Sequence, residues 1–166
     1  QNILQTETKK LYGDYLIEDL NNSEYTNYFE DSNFGNINLS NFYEDEFLIV
    51  TQKKQHIIKF KSVSNKSLNE FYKLNLQNNL EFLSEDEVII GKSLSRRLNL
   101  DVGDYVQIIS KDFKLNSLSL PEIYSFKVAN IFSNRILKAD NFLVFGINKE
   151  IFRGYDSFIE VNGSIS

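Results

Sequence analysis

An α+β domain in which strands outnumber helices is the fold class this sequence predicts, and three observations predict it. The chain has 166 residues, 42% of them hydrophobic and 25% charged, enough Ile, Leu, Phe and Val for the core of one compact domain or two small, closely packed subdomains. Short runs rich in β-branched and aromatic residues recur between polar breaks through the second half of the chain. Clear helical spacing, in contrast, shows in only two short stretches.

Residues 3–12 carry a mixed pattern that passes through Gly13 into residues 15–20. Residues 23–31 place Tyr25, Tyr28 and Phe29 at i, i+3 and i+4, one face of a short amphipathic helix, with Asn21, Asn22 or Ser23 as candidate caps. The Asn-rich residues 33–41 read as a connector. Residues 47–51 and 56–63 are β-rich runs around the polar residues 52–55, and Ile58 and Phe60 alternate with Lys59 and Lys61. That is a hairpin with one wet face.

The stretch 87–110, EVIIGKSLSRRLNLDVGDYVQIIS, is the most legible. Residues 88–90 form a short buried strand that Gly91 ends. Leu94 and Leu98 then stack one helical turn apart, while Arg96 and Arg97 face water. Asn99 follows the last periodic residue and is suited to a left-handed C-cap. Gly103 and Asp104 turn the chain into a strand at 105–110. Further strands are expected at 126–132, 142–147 and 158–161, divided by polar breaks.

Composition and motifs exclude more chemistry than they suggest. There is no cysteine, so there is no disulfide framework and no thiolate nucleophile or metal ligand. A net charge of −5 and a pI near 5.0 oppose phosphate-backbone binding, so nucleic acid is not an expected partner. No apolar run reaches the roughly 18 residues of a membrane span. His56 is the only histidine and reads as structural, because a triad or metal site needs partners the sequence lacks. Phosphate-binding loops, dinucleotide fingerprints, nucleophile elbows and zinc-protease helices are all missing. The clusters Glu44-Asp45-Glu46 and Glu85-Asp86-Glu87 lack calcium-loop spacing and read as solvated connectors before strands. No catalytic residue, metal ligand or cofactor is expected.

Residues 111–124 hold Phe113, Leu115, Leu118 and Leu120 together with Pro121, the only proline, and follow neither a strand nor a helix period. Two readings stay open: a protruding hairpin whose apolar tip meets a partner, or a loop covering the core.

The run 88–110 resembles the IGKxLAxxLGLxxGDxVxLIS signature in the extracytoplasmic domain of LolC/LolE-type permeases, the membrane subunits of the lipoprotein-releasing ABC transporter within the MacB-like superfamily. The match lies at Ile90, Gly91, Leu94, Leu98, Leu100, Gly103 and Asp104 and departs at Asn99, where the family usually has Gly. SFKVANIF at 125–132 and residues 140–147 resemble later strands of the same domain.

The resemblance implies a non-catalytic domain on the periplasmic face of the inner membrane, with ATP hydrolysed by a separate cytoplasmic subunit. Residues 1–79 would begin a mixed α/β Porter-like subdomain, 80–134 would form an inserted, mainly β Sabre-like subdomain, and 135–166 would return to Porter. Relatives continue beyond this point, so an incomplete domain is expected. The family's Hook hairpin, which recruits the carrier LolA, matches 111–124. Phe113, Leu115, Leu118, Leu120 and Pro121 would be its partner-binding tip, and Gln107, Ile123 and Tyr124 stand at its base where LolC relatives carry basic residues. The implied partners are a LolA-like carrier or the lipoprotein itself, a second permease subunit and the cytoplasmic ATPase. A MacB-like efflux or export permease is the alternative within the superfamily; a free-standing ligand-binding module or small hydrolase is the alternative outside it.

Overall fold

The computed structural model of the protein describes residues 15–17, 38–110, 120–134 and 138–162, the first three through their backbone alone. The helix expected at 23–31 and most of the hairpin at 111–124 lie outside the described residues. Among the described residues there are eight strands: β1 (Tyr15–Ile17), β2 (Asn38–Val50), β3 (Gln55–Ser62), β4 (Glu87–Gly91), β5 (Tyr105–Ser110), β6 (Ile123–Phe132), β7 (Leu143–Gly146) and β8 (Phe158–Asn162). Two short α-helices, α1 (Asn65–Glu70) and α2 (Lys92–Leu98), and two 3-10 turns join them. The domain is thus mixed α/β, dominated by its sheet.

Six of the strands close on themselves. The hydrogen-bonded ring runs β2-β3-β7-β4-β6-β5 and returns to β2, with the β3/β7 and β4/β6 pairs parallel and the rest antiparallel. Closure removes the edges an open sheet would expose. It also joins strands from all three segments expected at 1–79, 80–134 and 135–166. β2 can serve the ring and more because it is 13 residues long: residues 43–50 belong to the barrel, while residues 38–42 pair with β8, which pairs with β1. The Asn-rich connector expected at 33–41 is therefore strand from Asn38 onward. Ladder bonds to β8 outweigh the low β-propensity of Asn.

The barrel is filled by Phe47, Ile49, Ile58, Phe60, Val88, Ile90, Val106, Ile108, Phe126, Val128 and Val144. Leu94 and Leu98 of α2 close the end where β4 finishes, and Phe152 closes the other, its ring 5.4 Å from that of Phe47 and 5.8 Å from that of Phe60. The expected Asn99 cap is present: its φ of 56° and ψ of 53° are left-handed, and its N–H returns to the Arg96 carbonyl. Gly91 has an ordinary φ of −69°. It must be glycine for another reason, since a Cβ there would lie 2.0 Å from the Asp140 carbonyl oxygen.

A second apolar layer, including Leu68, Phe71, Tyr72, Leu83, Ile89, Leu143 and Phe145, covers the outer face of β3, β7 and β4. This corrects the expected wet face of the hairpin. Lys59 is half-buried and pairs with Glu44 at 3.2 Å, but Lys61 is fully buried beneath that layer. Glu44-Asp45-Glu46 also sits inside β2 and not in a connector before it.

Candidate functional site

The segment 111–124 that sequence reasoning singles out is flanked by two neighbouring barrel strands. β5 and β6 are antiparallel with Ile109 opposite Ile123, so residues 111–122 connect adjacent strands at the Phe152 end. Phe113, Leu115 and Leu118 lie outside the described residues. Leu120 is 88% exposed, Pro121 is half-buried and Gln107 is exposed. Tyr124 points into the barrel mouth opposite Ile108 and packs against the core. Its hydroxyl donates to the Glu122 carboxylate. Partial burial, followed by that hydrogen bond, pushes the phenol up to about 12.

Register explains why Ile123 faces the other way. Leu48 lies opposite both Ile57 on β3 and Ile109 on β5, and Ile109 lies opposite Ile123 on β6. Residues paired across antiparallel strands share a face, so Ile57, Leu48, Ile109 and Ile123 form one outward row over four strands, roughly 14 Å long at a strand spacing of about 4.8 Å. Its two ends are the most open, Ile57 and Ile123 each being 56% exposed. Among the described residues no second layer covers this side.

The row has polar borders. On one side the neighbouring register carries Gln55, Gln107 and Ser125 around the half-buried Val50, and on the other Glu46 opposite Lys59. A shallow depression of about 270 Å³ lined by Val50, Tyr105, Gln107 and Ser125 borders it. An apolar stripe with a polar rim is the anatomy of a protein-binding surface, and here it runs straight into the hairpin base. Sequence reasoning found Ile123 and Gln107 but missed Ile57, Leu48 and Ile109. Their signal was present as outward positions in the strand alternation, yet it becomes a surface only when the barrel closes.

The structure also contains a buried polar network that sequence reasoning missed. Lys61 Nζ lies 2.5 Å from Glu160 Oε1, Tyr72 OH donates to Glu160 Oε2 at 2.6 Å, and Ser40 Oγ donates to Tyr72 OH at 3.2 Å. The ammonium also stands 4.1 Å from the Phe42 ring centre. Burial pulls the Lys61 amine below its ordinary value, opposed by the attraction of Glu160. Burial also holds the Tyr72 phenol well above the usual tyrosine range, reinforced by Glu160. The groups satisfy one another, and the network ties β2, β3 and β8 together.

Among the described residues no three acidic or imidazole groups come close enough to share a metal ion. His56 sits half-buried at the start of β3, opposite Ile49. Arg96 and Arg97 are exposed in the last turn of α2, where they complement the helix dipole. Glu87 accepts from the Ser84 amide and hydroxyl and so caps the turn before β4. No described helix is long and apolar enough to cross a membrane.

No protein-family model matches the chain, and no curated protein matches its sequence. Solved structures of similar fold exist. One is the periplasmic region of MacB from Actinobacillus actinomycetemcomitans, at a TM-score of 0.53 and 10% identity over 84% of this chain. Another is the extracellular domain of the noncanonic ABC-type transporter YknZ from Gram-positive bacteria, at a TM-score of 0.51 and 14% identity over 77% of this chain. The match spans 64% and 65% of those two chains. The chain therefore has the fold of extracytoplasmic domains of ABC-type transporters.

Proposed function

We propose that this chain is the periplasmic domain of an ABC transporter permease of the lipoprotein-releasing, LolC/LolE type, which receives motion from a separate cytoplasmic ATPase and engages its partners by surface contact. The observation that carries this reading is the outward apolar row from Ile57 to Ile123, which ends at the base of residues 111–124. The likeness in fold to extracytoplasmic transporter domains supports it. So does the use made of the signature residues: Gly91 admits the Asp140 backbone, Leu94 and Leu98 close the barrel, and Gly103 turns at a φ of 101°. On this reading residues 111–124 are the Hook, with Phe113, Leu115, Leu118, Leu120 and Pro121 at its tip, and the Porter-like and Sabre-like parts share one barrel wall.

A MacB-like export role is the second reading. The likeness to the MacB periplasmic region favours it, as does the absence of basic residues at Gln107, Ile123 and Tyr124. Binding of a LolA-like carrier to the permease bearing this domain, measured by calorimetry, separates the two. The lipoprotein-releasing reading expects saturable binding that the pair Leu120→Asp and Ile123→Asp abolishes without changing the melting curve. Absence of carrier binding to the native chain overturns it in favour of the export role.

A further inference from the structure

We propose that the barrel end closed by α2 is a basic docking cap for a carboxylate-rich surface of another protein. This goes beyond the hairpin reading and does not depend on it.

Three elements meet at that end. The turn between β2 and β3 is fixed by Thr51, whose hydroxyl accepts from the Lys53 and Lys54 amides. From this turn Lys54 Nζ reaches the last turn of α2 and donates to the Arg97 carbonyl at 2.7 Å. At the first turn of the helix, Ser93 Oγ donates to the Asp140 carboxylate at 2.9 Å, holding against α2 the 3-10 turn that Lys138 precedes. Lys53, Lys54, Lys92, Arg96, Arg97 and Lys138 are thereby gathered together, and all are exposed.

Helix electrostatics explain only some of these charges. Arg96, Arg97 and Lys54 lie at the C-terminus of α2, where cations are favoured. Lys92 opens the helix, where the dipole disfavours a positive charge, and no acidic residue stands in that turn. Among the described residues none of the six is ion-paired, whereas Lys59, Lys61, Lys66 and Arg153 each pair with a glutamate. Like charges gathered without counter-ions repel and cost stability. The chain as a whole carries −5, so a local positive excess is not a by-product of composition. Carboxylates of a partner would supply the missing charge.

The arrangement also defines the occupant. A guanidinium takes a carboxylate through two parallel hydrogen bonds. Arg96 and Arg97 are consecutive in α2 and point about 100° apart around its axis, so each meets its own carboxylate. That calls for a surface bearing several acidic side chains and not for one small anion. An anionic bilayer is the rival, but membrane-surface faces combine cations with apolar anchors. Here the exposed Val102, just past the helix cap, is flanked by the exposed Asp101 and Asp104, which an anionic bilayer would repel.

The probe is a fluorescein-labelled oligoglutamate peptide, titrated against the full chain by fluorescence anisotropy at low and at physiological salt. Lys92→Gln with Arg96→Gln removes two charges from the cap at exposed helix positions, and circular dichroism checks that the fold is kept. Lys66→Gln with Lys149→Gln removes the same charge from exposed positions elsewhere. Native protein is expected to bind the peptide more weakly as salt rises, the cap pair to lose at least about tenfold in affinity, and the control pair less than about twofold. Absence of binding at low salt overturns the proposal, as does equal weakening in the two pairs. Co-sedimentation with phosphatidylglycerol vesicles that the cap pair abolishes would assign these side chains to a lipid surface and overturn it equally.

Discussion

Lys61 and Glu160 stand 99 positions apart in the chain, yet their charged atoms meet at 2.5 Å with both side chains out of water. β3 carries the lysine outward from the barrel, and β8, paired to the extension of β2, brings the carboxylate over it. The pair thus ties the barrel to the strands outside it. Desolvation offsets much of the Coulomb gain in such a pair, but removing one partner strands a buried charge. Glu160→Gln keeps the shape and an acceptor for Tyr72 and is expected to cost about 3–5 kcal/mol. Combining it with Lys61→Met should cost clearly less than the sum of the single changes, as measured by urea denaturation at neutral pH in a double-mutant cycle.

Tyr72 predicts an alkaline signature. Its phenol is held protonated well above the unfolded value of 10.0 by burial first and by Glu160 second. Above pH 10 the unfolded chain releases this proton and the folded one does not, so the folded state binds more protons and stability falls as pH rises. The limiting slope for one group is about 1.4 kcal/mol per pH unit. Tyr72→Phe is less stable at neutral pH because Glu160 loses a donor, but it should lose less further stability than the native protein between pH 10 and 11.5. Urea midpoints across that range measure the difference.

Asn99 tests the helix cap. Its left-handed backbone is strained for residues with a Cβ and least so for Asn among them. Asn99→Gly should change stability by less than about 0.5 kcal/mol, whereas Asn99→Ala should cost about 1 kcal/mol. Thermal melts of the two variants rank the effect; equal destabilisation would show that the Asn side chain, and not the backbone, is what the position needs.

Gly91→Ala should be the most damaging single methyl in the fold. The added Cβ would meet Asp140 backbone atoms at 2.0 to 2.4 Å, and neither neighbour can yield as a flexible side chain would. Ser93 Oγ donates to the Asp140 carboxylate at 2.9 Å, fixing that turn against α2. A loss beyond about 3 kcal/mol, at the upper end of overpacking costs, or failure to fold in the soluble fraction, is the expected outcome; Gly103→Ala, with open space around it but a positive φ, should cost only about 1 kcal/mol.

How much of this was legible depends on whether the cue and its partner are close in sequence. In residues 87–110 every signal is local: Leu94 and Leu98 one turn apart, Asn99 just past them, Gly103 before the strand. The structure keeps each. Lys61 was misread because alternation says which face a side chain takes and not what covers it. Its countercharge is on β8, and its cover comes from α1 and residues 71–83. Gly91 looked like a simple strand breaker, since nothing in the sequence announces that Asp140 will lie against it. Ring closure through β2 and β5 is likewise a long-range fact, and the stripe it creates could not be assembled from Leu48, Ile57 and Ile109 singly.

That stripe yields the last prediction. Ile57 is its far end, three strands from Ile123, and is 56% exposed, so Ile57→Asp removes apolar surface already in water and should alter stability by no more than about 0.5 kcal/mol. If a partner that grips the hairpin also lies along the row, the same change buries a carboxylate against that partner and removes part of an isoleucine contact, a penalty of at least about 1.4 kcal/mol, or tenfold in affinity. Calorimetric titration of Ile57→Asp and Leu120→Asp side by side reads this out. Loss in both means the footprint runs from the tip across β6, β5, β2 and β3; loss in Leu120→Asp alone confines recognition to the hairpin and leaves the row as bare barrel surface.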